Sequence, residues 1–151
     1  AVEYLRGLCQ NDGFAKGEFK VFGQPVSLAD IQLPICAIAC ETDHIAHWKG
    51  SFNCVKQMGS AYKTFILSES GHIAGIINPP SKDKYGHYTS DGPVSGDPEA
   101  WAKTAIFHKG SWWPRWEAWL GKRSGPMVKA RIPVDSLAAA PGTYVVGADT
   151  A

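Results

Sequence analysis

The chain has 151 residues, 44% of them hydrophobic and 19% charged, with a formal net charge of +1. That balance excludes an intrinsically disordered chain and allows one domain with a real core. Lys and Arg are scattered, so no basic footprint for nucleic acid or an acidic membrane surface is expected.

Residues Ala1 to Cys9 carry Val2, Leu5 and Leu8 at helical spacing. No secretory leader is read there, because Glu3 and Arg6 interrupt any apolar stretch. The first residue is not Met, so a processed protein or a piece of a longer one is expected. Glu18 to Leu28 holds two short apolar runs around Gly23-Gln24-Pro25 and predicts a small hairpin. Asp30-Ile31 predicts a turn.

The apolar run from Leu33 to Cys40 is too short to span a bilayer. Within it, Pro34 to Cys40 predicts a strand buried on both faces. Trp48 to Met58 predicts a helix with Trp48, Phe52 and Val55 on one face. Tyr62 to Leu67, rich in β-formers, predicts a second strand. A strand, helix, strand unit of this kind builds parallel sheets, and open parallel sheets place their sites at the C-terminal strand ends. Ser81 to Gly96 reads as a long polar loop. Asp97-Pro98-Glu99 predicts a helix start, with the helix running to about His108 and His108 capping its last carbonyls. Ser111 is expected to cap a second helix carrying Trp112, Trp116, Trp119 and Leu120 as a packed stripe, with Trp113 pointing elsewhere. The tail, residues 124–151, reads as irregular.

Two side chains fit chemistry. Asp43 and His72 each follow an apolar strand, with a helix between them. In α/β-hydrolases the chain order is nucleophile, acid, histidine, each at a strand's end. A thiol or hydroxyl is a poor nucleophile until a base takes its proton, and imidazole, oriented by a carboxylate, can take and return it. The plainer alternative is a capping Asp43 and a loop His72, and spacing alone slightly favours it. No nucleophile elbow is present. Gly7-Leu8-Cys9-Gln10-Asn11 lacks the second glycine, and Cys54 lies in the wrong order, so the nucleophile is expected upstream of residue 1. The four cysteines, Cys9, Cys36, Cys40 and Cys54, contain no CxxC pair; Cys36 and Cys40 read as small buried hydrophobes in a reducing cytoplasm. His44 and His47, three apart, lack a third ligand, so no metal is expected.

Gly71-His72-Ile73-Ala74-Gly75-Ile76-Ile77-Asn78-Pro79-Pro80 resembles the histidine-bearing segment of the polyhydroxyalkanoate synthases. Asp43-His44-Ile45 with Trp48 resembles the segment holding their catalytic aspartate. Gly110-Ser111-Trp112-Trp113-Pro114 with Trp116 and Trp119 is similar to their Trp-rich segment, and Pro141-Gly142 with Tyr144-Val145 to the end of their tail. Four motifs in register along nearly the whole chain carry the resemblance, and the GHIAG form is similar to the class I enzymes, which prefer short-chain monomers.

The resemblance implies that residues 1–151 are the C-terminal part of an α/β-hydrolase catalytic domain: parallel strands with flanking helices, Trp-rich C-terminal helices, and a lid region elsewhere. It implies polymerisation of (R)-3-hydroxyacyl-CoA, 3-hydroxybutyryl-CoA foremost, into polyester with release of coenzyme A. It implies that the growing chain is carried on a Cys outside this sequence. His72 serves as its base, and Asp43 either assists His72 or activates the substrate hydroxyl. No cofactor is implied, since the substrate is itself a CoA thioester. Homodimers at the surface of cytoplasmic polymer granules are implied, with no nucleic acid and no membrane span. The chain departs from the family in lacking the elbow and in having Ala46-His47 where an aliphatic residue and Pro are usual. The isolated chain is therefore expected to be inactive, and its unpaired sheet edge to favour aggregation. Two other readings stand beside this one: an esterase or polyester depolymerase with an upstream Ser, and a non-catalytic granule-binding module built on the Trp-rich helices.

Overall fold

The structure, a computed structural model, describes residues 1–131 and 140–146. An N-terminal helix α1 (Val2–Tyr4) continues as a π-helix over Leu5–Gln10. Strands β1 (Lys20–Val21) and β2 (Gln24–Pro25) form the expected hairpin, turning at Phe22-Gly23. A 3₁₀ turn over Leu28–Asp30 follows. Its Ser27 accepts from the Ala29 amide, and Asp30 accepts from the Ser27 amide.

The expected strand, helix, strand unit then appears. Strand β3 (Ile35–Cys40) leads into helix α2 (Trp48–Gln57) and strand β4 (Lys63–Ser68), and the two strands pair in parallel from Ile35↔Lys63 to Cys40↔Ser68. A 3₁₀ turn (Pro80–Lys82), strand β5 (His87–Thr89), helix α3 (Pro98–Thr104), strand β6 (Ile106–His108), helix α4 (Trp113–Gly121) and the short helix α5 (Thr143–Val146) complete the described elements. The sheet order is β3-β4-β5-β6, with β5 and β6 antiparallel to their neighbours. The fold is α/β with a mixed sheet, which the parallel-strand expectation described only in its β3–β4 half.

The core lies on the α2–α3 side. Phe52 and Val55 of α2 and Trp101 of α3 pack on Ala39, Phe65 and Leu67 of the sheet. Phe52, Phe65 and Trp101 meet as a trio with ring centroids 5.2 to 5.4 Å apart. Two of the contacts are edge to face and the Phe52–Trp101 one is tilted; aromatic pairs of this kind add about 0.5–1.5 kcal/mol each beyond area burial.

Three expectations on elements are corrected. β3 is buried only at Ala39 and Cys40; Ile35 to Ile38 are half-buried, because no strand pairs on its outer side among the described residues. The stretch read as a loop over 81–96 contains β5. The helix from Asp97 ends at Thr104, not His108, because Ile106, Phe107 and His108 pair with β5 instead, Tyr88 packing against Phe107 and His87 stacking on His108. His108 accordingly caps no helix among the described residues; its Nε2 lies 2.9 Å from the Thr89 hydroxyl. Among the described residues no helix is long and apolar enough to cross a membrane. Of the tail, only 124–131 and 140–146 can be described. The motif residues Pro141, Gly142, Tyr144 and Val145 lie in the second stretch, while 132–139 and 147–151 fall outside the described residues.

Candidate active site

Strands β3 and β4 end level with each other, since Cys40 pairs with Ser68. The ladder continues for two further steps. The Glu41 amide donates to the Ser68 carbonyl at 2.8 Å and the Thr42 amide to the Ser70 carbonyl at 3.1 Å. The two chains therefore leave the sheet together, and the next side chains on each are the two singled out in the sequence.

His72 Nδ1 lies 2.8 Å from Asp43 Oδ2. Asp43 Oδ1 accepts from the amides of Ile45 and Ala46, both at 2.9 Å. Both carboxylate oxygens are thus occupied, and the carboxyl is only 7% exposed. The Ala46 amide lowers its pKa most; desolvation opposes that, and the bonds from His72 and Ile45 add to the lowering, leaving it at about 2. An ionised carboxylate can only accept a hydrogen bond, so His72 Nδ1 must carry a proton. A neutral His72 then keeps its lone pair on Nε2, the arrangement a general base requires. Among the described residues the Asp43 bond is the one side-chain hydrogen bond that His72 makes, and its side chain is 45% exposed. Capping and catalytic geometry coexist at Asp43: it closes the turn before α2, whose N-cap is His47, and it also receives the imidazole.

The turn bearing His72 is tightly built. Ser70 adopts a left-handed backbone (φ +74°), which swings the chain off β4. The Gly75 amide then donates to the Gly71 carbonyl at 3.0 Å, and the Ile77 amide to that of Ile73 at 2.8 Å. Gly75 admits no side chain: a Cβ there would sit 2.6 Å from Cys40 Sγ and 2.7 Å from the Glu69 carbonyl. Buried Asn78 donates to the Tyr85 carbonyl at 2.9 Å and Glu69 accepts from the Gly86 amide at 2.6 Å, which ties the following loop to the same turn. Two donors that the sequence reading missed also reach it. The indole N–H groups of Trp112 and Trp113 donate to the carbonyls of Gly75 and Ile76. Trp113, expected to point away, is therefore half-buried and bonded. Of the expected packed stripe, Trp112 is buried, while Trp116 and Leu120 are each 40% exposed.

The remaining candidates sit apart from this pair. Cys40 is buried and Cys36 half-buried, and burial raises the pKa of both thiols. Cys54 is likewise half-buried on α2, and Cys9 is exposed in the N-terminal helix. All four are free thiols. His44 and His47 are both exposed, and no three metal-binding side chains assemble among the described residues. A cavity of about 1020 Å³ is not lined by Asp43 or His72; it separates α4 from the other face of the sheet, bounded by Ile66, His87, His108, Arg115 and Trp119. A second, of about 370 Å³, is lined by Ile73, Ile77, Asn78, Lys82, Lys84 and Tyr85, on the turn that follows His72, and likewise not by Asp43 or His72.

No family model matches the chain. Curated relatives do. The chain is 43% identical over 145 residues to the poly(3-hydroxyalkanoate) polymerase subunit PhaC of Rhizobium meliloti, covering 94% of this chain and 23% of that protein. It is 38% identical to the same-named subunit of Rhizobium etli, covering 95% and 23%, and 38% identical to that of Cupriavidus necator, covering 94% and 25%. The chain thus spans about a quarter of the length of the relatives it matches. These likenesses bear out the family resemblance read from the motifs: the chain is similar, along nearly its whole length, to a part of these poly(3-hydroxyalkanoate) polymerases.

Proposed function

We propose that this chain, as the C-terminal part of a poly(3-hydroxyalkanoate) polymerase, supplies the histidine and the acid of a Cys-His-Asp triad. The nucleophilic cysteine belongs to the longer protein. The single observation that carries the reading is the 2.8 Å contact between His72 Nδ1 and Asp43 Oδ2 at the ends of two adjacent parallel strands.

In this reading the cysteine thiol gives its proton to His72 Nε2, and the thiolate attacks the acyl carbon of an (R)-3-hydroxyacyl-CoA, 3-hydroxybutyryl-CoA foremost. The carbon–sulfur bond to coenzyme A breaks, and coenzyme A leaves as the thiol with the proton from His72. The 3-hydroxyl of a second acyl group then attacks the enzyme thioester. Its proton passes to His72 Nε2, an ester bond forms and the cysteine is released. Asp43 acts through the imidazole. A carboxylate held near a pKa of about 2, with both oxygens already bonded, is a weak base for a substrate hydroxyl but a good partner for an imidazolium. A homodimer acting at the surface of cytoplasmic polymer granules belongs to the same reading.

Coenzyme A release from 3-hydroxybutyryl-CoA by the full-length protein tests it. His72→Gln and Asp43→Asn are each expected to lower kcat by about 10²- to 10⁴-fold. A near-normal rate in either variant removes that residue from the mechanism.

A further inference from the structure

We infer that Trp112 and Trp113 are positioning residues, whose indole N–H groups hold the His72 turn in register with Asp43. This rests on the triad reading above and adds a role for the Trp-rich segment that neither core packing nor polymer contact supplies.

Apolar burial does little to fix the turn from Gly71 to Ile77. Ile73 is 71% exposed and Ile77 54% exposed, and His72 itself is half-exposed. Its position must come from the backbone. The turn is a single loop of helix-like bonds, so its last carbonyls have no following amides to receive. Side chains from elsewhere fill that need. The Gly75 carbonyl accepts from Ser68 Oγ at 2.9 Å and from Trp112 Nε1 at 2.9 Å, which uses both its lone pairs in a buried setting. The Ile76 carbonyl accepts from Trp113 Nε1 at 3.0 Å. Consecutive carbonyls thus meet consecutive indoles, 37 residues further along the chain in both cases. The two rings pack edge to face, 6.3 Å apart, so each restrains the other. On its opposite side the turn rests against Cys40 and Glu69 through Gly75. A shift of the turn moves the imidazole away from Asp43 and from the thiol it serves, and small misplacements of a catalytic group cost rate steeply.

The test uses the full-length polymerase with Trp112→Phe, Trp113→Phe and the double substitution, which keep an aromatic ring and delete the donor. Trp116→Phe is the control, since that neighbour makes no hydrogen bond to the turn among the described residues. Per titrated active site, the double variant is expected to lose roughly tenfold or more in kcat with KM within about twofold. The low-field proton signal of the His72 Nδ1–H bonded to Asp43 is expected to broaden or vanish, while Trp116→Phe changes neither. If Trp112→Phe yields no soluble protein, half-buried Trp113 carries the test alone. Unchanged kcat together with an unchanged low-field signal in Trp113→Phe overturns the inference. The proton signal does not depend on polymerisation, so a failure of the triad reading, shown by an active His72→Gln enzyme, is distinguished from a failure of this one.

Discussion

The molecule holds two histidine centres, and they are built in opposite ways. At the strand ends, His72 is half-exposed and faces an ionised carboxylate held by two backbone amides. On the sheet face under α4, His87 and His108 stack with ring centroids 5.1 Å apart and, among the described residues, have no carboxylate bonded to either ring. His87 is 4% exposed, its Nδ1 pairs with the Gly110 carbonyl at 3.0 Å, and its Nε2 is buried without a hydrogen-bond partner among the described residues. His108 Nε2 lies 2.9 Å from the Thr89 hydroxyl and 3.2 Å from the Arg115 guanidinium. Burial lowers the pKa of both rings; the charges of His108 and Arg115 lower that of His87 further, against the Gly110 bond, and Arg115 lowers that of His108 further, against Asp91. A histidine is made ready for proton transfer by an anion and by access, and made into a neutral packing group by burial beside a cation.

The largest expected contrast is in rate. With His72→Gln down by about 10²- to 10⁴-fold in the full-length protein, His87→Ala is expected to leave kcat per folded enzyme within about threefold. It should instead destabilise the protein by about 1–3 kcal/mol, because the Gly110 carbonyl is left unpaired and a cavity opens between β5 and β6. Coenzyme A release and urea unfolding measured side by side check both halves. A collapse of kcat in His87→Ala without loss of stability breaks the division between the two centres.

The two centres were also unequally legible in the sequence. Asp43 and His72 follow apolar runs long enough to read as strands, and the motifs around them are dense. β5 and β6 are three residues each, and His87-Tyr88-Thr89 is too polar and short to show a period. Ile106 and Phe107 continue a helical pattern from Asp97, and only cross-strand pairing with β5 turns them into a strand. The Asp97 cap was readable because it is local: its carboxylate accepts from the Ala100 amide three residues on. Ser111, expected as a cap, does accept from the Trp113 amide at 3.1 Å, one residue early. The indole bonds to Gly75 and Ile76 were not readable, because helical spacing tells which face a tryptophan occupies and not where its N–H finds an acceptor.

Acid separates the centres by pH. A group whose pKa is lower in the folded than in the unfolded state contributes stability above its unfolded pKa and loses it as pH falls towards the folded value. His87 and His108 are lowered from 6.5, so their contribution is complete above neutrality and is expected to fade as pH drops below about 6.5. Asp43 is lowered from 3.8 to about 2, so its share survives that first decline and is lost between those values. Urea midpoints across the acid range should therefore fall in two stages. Asp43→Asn removes only the lower stage and His87→Ala reduces only the upper one. A single acid stage, insensitive to His87→Ala, refutes the assignment of the upper one to the sheet-face pair.

The smallest effect expected is that of Arg115→Gln. Its guanidinium lies at the surface end of the pair, so solvent screens much of its charge. Removing it relieves one cause of the lowered pKa at His108 and, more weakly, at His87, while burial, the larger cause at both rings, stays. The folded-state values then move up towards 6.5, the gap to the unfolded state narrows, and the upper stage becomes shallower. Histidine proton chemical shifts followed through a pH titration in low salt would resolve the change, and added salt should shrink the difference between variant and parent. Arg115 reaches the His108 ring and makes no hydrogen bond to His72 among the described residues, so the His72 signals should be the same in variant and parent; a difference there of the same size as at His108 would mean that the two centres are coupled through the sheet rather than separate.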